Sequence, residues 1–412
     1  MRPPPFALPV LLALVFLIGV LAGQFGQEAI AGLGLAAKTT LAATTTPQAE
    51  AARAPTPTPG DAAPVVSSPT PVQTPTPRPT EAATETPTVT GTPTATPTTT
   101  TTTTATPTPT VTQTPERRGS FFEDGATMLT VYGRGFKIAP ILGFLGQYKG
   151  YEDMERDVKK RFYPVIQEQN GGKPIIPTVH LIYALAIPCS PGDDCLLYLE
   201  ATGTDIVKDY IEPAQKMGWH VILDAQMGRS DPVTQVKRMI DKGYLKYENV
   251  HVALDPEFKV YPGRQMPGIP VGQLDARELN KAMELIDQHA RQVGLKRRKM
   301  FMVHQFGDPE VNDGVPFMIV NKKELKPPPT IDLILDADGF GGPEAKASKY
   351  NRMLDSGVYP FVQYRAIKLF LPNPEAPNHY DKPQMDWPAV FGKKDTPGGR
   401  RMRWPPNVIV IA

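Results

Sequence analysis

Acidic, amide and imidazole side chains recur where apolar, β-favouring runs of this chain stop. Asp224 and Gln226 close one run, Asp255-Pro256-Glu257 another, and His304-Gln305 a third. Asp336 and Asp338 lead into Gly339-Phe340-Gly341-Gly342, while Gln363, Tyr364 and Arg365 end a further run. His180 and Tyr183 lie inside one more. The i, i+2 spacing of Asp224 with Gln226, Asp255 with Glu257, and Asp336 with Asp338 puts both members of each pair on one strand face. A single Asp after a strand is ordinarily a helix cap or turn residue. Recurrence on several strands is different, because burying such groups together costs free energy unless they bind something.

Two chemistries fit the set. Glycoside hydrolysis needs one protonated carboxyl as acid and a second as nucleophile or base, on either side of a sugar ring. Glu257 is the expected acid, since Pro256 and Phe258 are apolar neighbours and such a setting raises a carboxyl pKa. Asp255, Asp336 or Asp338 is the expected partner, so these four carboxyls form the expected catalytic set. Asp224, Gln226, His304, Gln305, Gln363, Tyr364 and Arg365 are expected to contact substrate, with Tyr380, Trp387 and Trp404 available to stack on sugar. The alternative is a divalent metal held by Asp and His that activates water. No His-x-His or His-x-x-x-His spacing occurs, so neither a metal nor another cofactor is expected. His220 and His251 begin their strands and are expected to be structural, His289 sits on a helix, and His379 lies in a Pro-rich loop. No Gly-x-Ser-x-Gly elbow is present, and Ser230 reads as a helix cap.

Alternating elements must position these residues. Strands are expected at 127–133, 175–187, 219–225, 250–254, 299–306, 331–337, 358–364 and 407–411. Helices are expected at 151–169, 204–217, 230–242, 275–293 and 343–354. The helix at 275–293 carries Ala282, Leu285, Ile286 and Ala290 on one face and stops at Gly294. Eight strands separated by helices imply a parallel sheet, and their number favours a (β/α)8 TIM-type barrel, whose active sites lie at the strands' carboxyl ends. Gly133-Arg134-Gly135 is only a fragment of a dinucleotide-binding turn. An irregular barrel is expected, because the helix between 306 and 330 is poor and no helix follows the last strand.

The blocks Ala253-Leu254-Asp255-Pro256-Glu257-Phe258 and Val303-His304-Gln305-Phe306 resemble those of glycoside-hydrolase-like barrels in bacterial exported and surface proteins. The resemblance spans most of 127–412. It implies a TIM barrel on the cell surface. Asp255-x-Glu257 also resembles the Asp-x-Glu of family 25 muramidases, which imply peptidoglycan cleavage. Those enzymes place a carboxylate on the first strand, where this chain has Tyr132-Gly133-Arg134-Gly135. A barrel that binds glycan or a surface partner without cleaving it is the non-enzymatic alternative.

The rest of the 412 residues bear on location. Arg2 precedes an apolar run at 6–22, the pattern of a signal-anchor or signal peptide over 1–30 with the downstream chain exported. Residues 31–118 are Thr- and Pro-rich, a composition expected to stay disordered as a stalk. Residues 119–412 then form the globular domain. Cys189 and Cys195 are the only cysteines. In an exported chain so close a pair is expected to be a disulfide. An uncleaved segment anchors the domain at the surface through the membrane, and a cleaved one releases it. A net charge of +2 gives no reason to expect a nucleic-acid partner, and a polysaccharide or glycan is the expected ligand.

Overall fold

The computed structural model describes residues 119–307 and 315–412. The expected apolar segment and stalk at 1–118 lie outside the described residues. Among those described, no helix is long and apolar enough to cross a membrane. The elements run β1 (Thr127–Gly133), α1 (Tyr151–Arg161), α2 (Tyr163–Asn170), β2 (Ile175–Ala186), β3 (Leu196–Tyr198) and α3 (Glu212–Met217). There follow β4 (His220–Gly228), α4 (Pro232–Asp241), β5 (Val250–Lys259), β6 (Leu274–Asp275), α5 (Ala276–Gln292) and β7 (Lys299–Gln305). The chain finishes with β8 (Ile319–Val320), β9 (Ile331–Ala337), α6 (Pro343–Met353), β10 (Tyr364–Leu369), α7 (Trp387–Val390) and β11 (Val408–Ile411).

Eight of these strands pair in parallel in the order β1-β2-β4-β5-β7-β9-β10-β11, and β11 returns to β1. The result is a closed (β/α)8-type barrel. β3 adds antiparallel to β2, and β6 pairs with β8 in a separate two-stranded ribbon. Closure does not need a helix after β11, because hydrogen bonds to β1 and β10 already satisfy that strand on both sides. The expected weak helix after β7 is absent among the described residues, where β8 and a short turn at Lys322–Glu324 take its place.

Prolines account for two differences from the expected helices. The stretch 151–169 splits at Phe162, because Pro164 at the start of α2 cannot donate to the preceding turn. Ahead of α3, residues Val207–Ile211 widen into a π-turn beside Pro213, which likewise has no amide proton to give. Elsewhere the local chemistry sets the bounds. Asp231 caps α4 by accepting from the Thr234 amide at 2.9 Å, Asp275 caps α5 through the Arg277 amide at 2.8 Å, and Gly171 and Gly218 end α2 and α3 in the left-handed region.

The largest difference concerns the seventh barrel strand, expected at 358–364 and found six residues later. Residues 355–362 form turns instead: the amides of Val358 and Tyr359 both donate to the Asp355 carbonyl, and that of Val362 to Tyr359. Pro360 within this stretch supplies no donor to a sheet ladder. The apolar character that mimicked a strand serves packing: Val362 is buried, and Tyr359 and Phe361 pack against the core.

One apolar cluster joins outward strand faces to the helices, and a second, including Met128, Ile222, Met300, Met302, Ile334 and Val410, fills the barrel. At the amino end Phe121 packs edge-on against His220 and His251. These two imidazoles form a relay: the Met300 amide donates to His251 Nδ1 at 3.2 Å, and His251 Nε2 lies 2.9 Å from His220 Nδ1. Both rings are therefore neutral, as structural histidines. Burial, reinforced by Lys299 and Arg297, pushes His220 down to about 4, and burial also pushes His251 well below its ordinary value. The unfolded chain, with histidine near ~6.5, binds the extra proton first, so stability contributed here is lost as pH falls from ~6.5 toward ~4. For His220 alone the loss is up to about 3 kcal/mol. Urea unfolding of wild type and His220→Gln between those pH values should show the variant's stability falling less steeply. Parallel slopes would mean that the relay does not govern this acid limb.

Cys189 and Cys195 are disulfide-bonded as expected, which fits an oxidising compartment. The loop they close is tied down by Arg229, whose guanidinium donates to the carbonyls of Ser190, Asp193 and Arg264.

Candidate active site

Side chains that alternate into the barrel form two polar tiers above its apolar fill. The lower tier holds His180 of β2, Asp224 of β4, His304 of β7 and Asp336 of β9, all fully buried. His304 Nδ1 lies 2.8 Å from Asp336 Oδ2 and 3.3 Å from Asp338 Oδ2. Asp224 Oδ2 lies 3.3 Å from His180 Nε2 and 3.4 Å from His304 Nε2. Burial opposes the charge on Asp224, yet the two imidazoles hold its carboxyl well below the usual range. Tyr132 of β1 packs edge-on over both rings, with centroids 5.0 Å from His180 and 6.2 Å from His304.

The upper tier opens to a cleft at the strands' carboxyl ends. Gln226, Asp255, Glu257, Asp338, Lys368 and Tyr132 supply its polar lining, and Phe258, Phe340 and Phe370 part of its apolar wall. The cavity is about 80 Å³, room for a few waters at about 30 Å³ each. Two carboxyls of this lining differ sharply in setting. Asp338 Oδ2 pairs with Lys368 Nζ at 2.9 Å. Burial works against that carboxylate, but Lys368 and His304 hold it well below the usual range. Glu257 has no side-chain ion pair or hydrogen bond among the described residues, and burial, reinforced by the charges of Asp255 and Asp338, pushes it well above its ordinary value. Asp255, whose Oδ1 accepts from the Glu257 amide at 3.1 Å, is raised by burial to about 7.

The loop over the cleft is fixed from behind. Lys346 and Asp381 form a buried pair at 3.1 Å. From it Lys346 donates to the carbonyls of Gly339 and Lys368, and Asp381 accepts from the Gly341 amide. Lys349 Nζ donates to the Asp338 carbonyl at 2.8 Å, and burial pushes it down to about 8. Gly339 has φ +86°, and a Cβ there would meet the Phe306 Cβ at 2.7 Å, so this turn requires glycine.

The expected catalytic set Asp255, Glu257, Asp336 and Asp338 converges here, with Asp336 in the lower tier. Asp224, Gln226 and His304 converge too, although Asp224 and His304 lie beneath the cleft rather than on its wall. Gln226 turns its Oε1 to the Ala186 amide at 3.0 Å. Four expected contacts are corrected. Gln305 follows inward-facing His304, so alternation points it outward, where it lines a separate surface hollow with Met353 and Tyr359. Gln363, Tyr364 and Arg365 sit at the amino end of β10, not its carboxyl end, because the strand begins at Tyr364. The Tyr364 hydroxyl is 3.1 Å from Ser120 Oγ, and Arg365 Nε donates to the Leu354 carbonyl at 3.0 Å.

Tyr183 also points outward, its hydroxyl accepting from Arg238 Nε at 2.8 Å. The proposed stacking aromatics are elsewhere as well. Trp404 lies under the Arg365 guanidinium, Trp387 packs on Phe162, and Lys382 covers Tyr380. The cleft instead presents Phe340 stacked on Phe370, with centroids 3.9 Å apart. Lys368 and Tyr132 were not anticipated as site residues. The alternation Tyr364, Ala366, Lys368, Phe370 was the available signal for the lysine. No family model, curated protein or solved structure matches the chain.

Proposed function

We propose that the barrel is a glycoside-hydrolase-like enzyme of the cell surface or secreted fraction, acting on cell-wall or environmental polysaccharide. Glu257 is its general acid and Asp338 the ionised carboxylate that serves as nucleophile or base. The observation that carries this reading is that these two carboxyls face one cleft in opposite settings: Asp338 is ion-paired with Lys368, and Glu257 has no ion pair among the described residues. Environments that drive two acids apart are how one site keeps a proton donor and a carboxylate at the same pH. Burial keeps the proton on Glu257, reinforced by the charges of neighbouring Asp255 and of Asp338. The narrow cleft favours a chain end over the middle of a polymer, with Phe340 and Phe370 offering an apolar face to a sugar ring. The disulfide and the apolar run near the amino terminus support an exported location. Reducing-sugar release by the full chain from a panel of peptidoglycan and neutral and acidic polysaccharides tests the proposal. Release from at least one is expected. A folded protein that releases none, while binding a glycan, would instead identify a non-catalytic binding barrel.

A further inference from the structure

We propose that His180 Nε2, Asp224 Oδ2 and His304 Nε2 bind a zinc-like divalent cation in tetrahedral geometry, beneath the floor of the cleft. All three side chains are fully buried, and they come from three different barrel strands. Among the described residues, neither nitrogen of His180, neither oxygen of Asp224 and not Nε2 of His304 has a hydrogen-bond partner. Five orphaned polar atoms at one place are unusual, since buried polar groups are nearly always paired, and three of them, His180 Nε2, Asp224 Oδ2 and His304 Nε2, are the proposed ligands.

Two edges of the cluster have the length a tetrahedral cation site requires. Asp224 Oδ2 is 3.3 Å from His180 Nε2 and 3.4 Å from His304 Nε2, and the three ligand atoms lie within 4.8 Å of one another. An N–H···O bond is shorter, about 2.7–3.2 Å. A tetrahedron with metal–ligand bonds of about 2.0–2.1 Å has edges of about 3.3–3.4 Å. For His304 the second sphere agrees, whereas His180 Nδ1 has no acceptor among the described residues. His304 Nδ1 is 2.8 Å from Asp336 Oδ2, the carboxylate–histidine contact that leaves the other nitrogen's lone pair for a metal. The neighbouring triad of His304 Nδ1, Asp336 and Asp338 is a poorer site, because Nδ1 already serves Asp336 and Asp338 already holds Lys368.

Charge points the same way. Asp224, Asp336 and Asp338 crowd together with the Lys368 ammonium on Asp338, and the Lys349 ammonium is spent on backbone carbonyls. A cation at Asp224 adds the positive charge that otherwise falls to a proton on His304. Two imidazoles and one carboxylate suit zinc and its late first-row neighbours better than magnesium or calcium. Three protein ligands leave one position for water. Since Tyr132 packs over both rings and none of the three ligands lines the cleft, the cation organises the acidic tier rather than meeting substrate.

The inference stands apart from the hydrolytic reading and is tested without substrate. The full chain, loaded with Zn²⁺ and dialysed into metal-free buffer, should retain one Zn²⁺ per molecule by elemental analysis. His180→Gln and Asp224→Asn should each lose it, and a chelator should lower the melting temperature of wild type only. Co²⁺ loading of wild type, which needs no variant to fold, should give the intense visible bands of tetrahedral cobalt. Folded wild type that retains no metal and melts identically with Zn²⁺ and with chelator would overturn the site, leaving a proton on His304 as the counter-charge. Variants that keep the full Zn²⁺ content, or a weak octahedral cobalt spectrum, would overturn it as well.

Discussion

Glu257→Gln should lower turnover on any polysaccharide the enzyme cleaves by about 10²–10⁴-fold, the usual contribution of a positioned proton donor, while leaving folding intact. Glutamine preserves size and polarity but has no proton to give the leaving oxygen. The pH profile supplies a sharper check. Glu257 acts only while protonated, and burial with the charges of Asp255 and Asp338 raises its pKa well above that of a free carboxyl. Activity should therefore persist where an ordinary glutamate has ionised and fall as pH rises through the raised value. Asp255 is itself pushed up to about 7, so the two carboxyls titrate as a pair. In Asp255→Asn a charge that raises Glu257 is gone, and the alkaline limb should move to lower pH. Steady-state rates between pH 4 and 10, as about ten points per variant, decide the matter. Full activity in Glu257→Gln, or an alkaline limb unmoved in Asp255→Asn, removes this acid from the mechanism.

The sequence disclosed the pairs because strand periodicity is so strict. Residues i and i+2 share a face about 6.6 Å apart along the strand, which is why Asp224 and Asp336 occupy the lower tier while Gln226 and Asp338 reach the cleft. β1 and β9 fall where their apolar runs begin and end, and α5 where Asp275 and Gly294 bracket it. The same periodicity, applied to His304-Gln305, shows that only one of two consecutive residues can face inward. The helix breaks were less visible, since Pro164 and Pro213 follow residues whose pattern is otherwise helical.

β10 was misplaced for a different reason. Hydrophobicity marks a strand by what water excludes, and this strand buries charge: Arg365 and Lys368 are both nearly inaccessible. An adjacent turn, richer in apolar side chains, imitated it better than it resembled itself. A lysine buried by a partner on another strand, 30 positions away, has no local signature. His180 was visible only as an imidazole within an apolar run, because Asp224 and His304 meet it through barrel closure rather than through sequence spacing.

That hidden lysine gives the second large effect. Lys368→Met should destabilise the fold by about 3–5 kcal/mol, the cost of breaking a buried pair and stranding one charge. Lys368 is 4% exposed. Its Nζ is 2.9 Å from Asp338 Oδ2 and 3.9 Å from the centre of the Tyr132 ring, so the substitution removes an ion pair and a cation–π contact together. Most of the loss should come from Asp338, left as a buried carboxylate with the His304 ring at 3.3 Å and the Gly339 amide as its remaining partners. The double variant Lys368→Met/Asp338→Asn should then recover much of the stability, because a neutral pair of similar volume carries no stranded charge. Urea unfolding of wild type, both single variants and the double variant closes the cycle. A coupling of several kcal/mol assigns Lys368 the task of keeping Asp338 ionised at the cleft. A coupling below about 1 kcal/mol, the range of solvent-exposed pairs, would mean that His304 alone holds that charge and that Lys368 fills space over Tyr132.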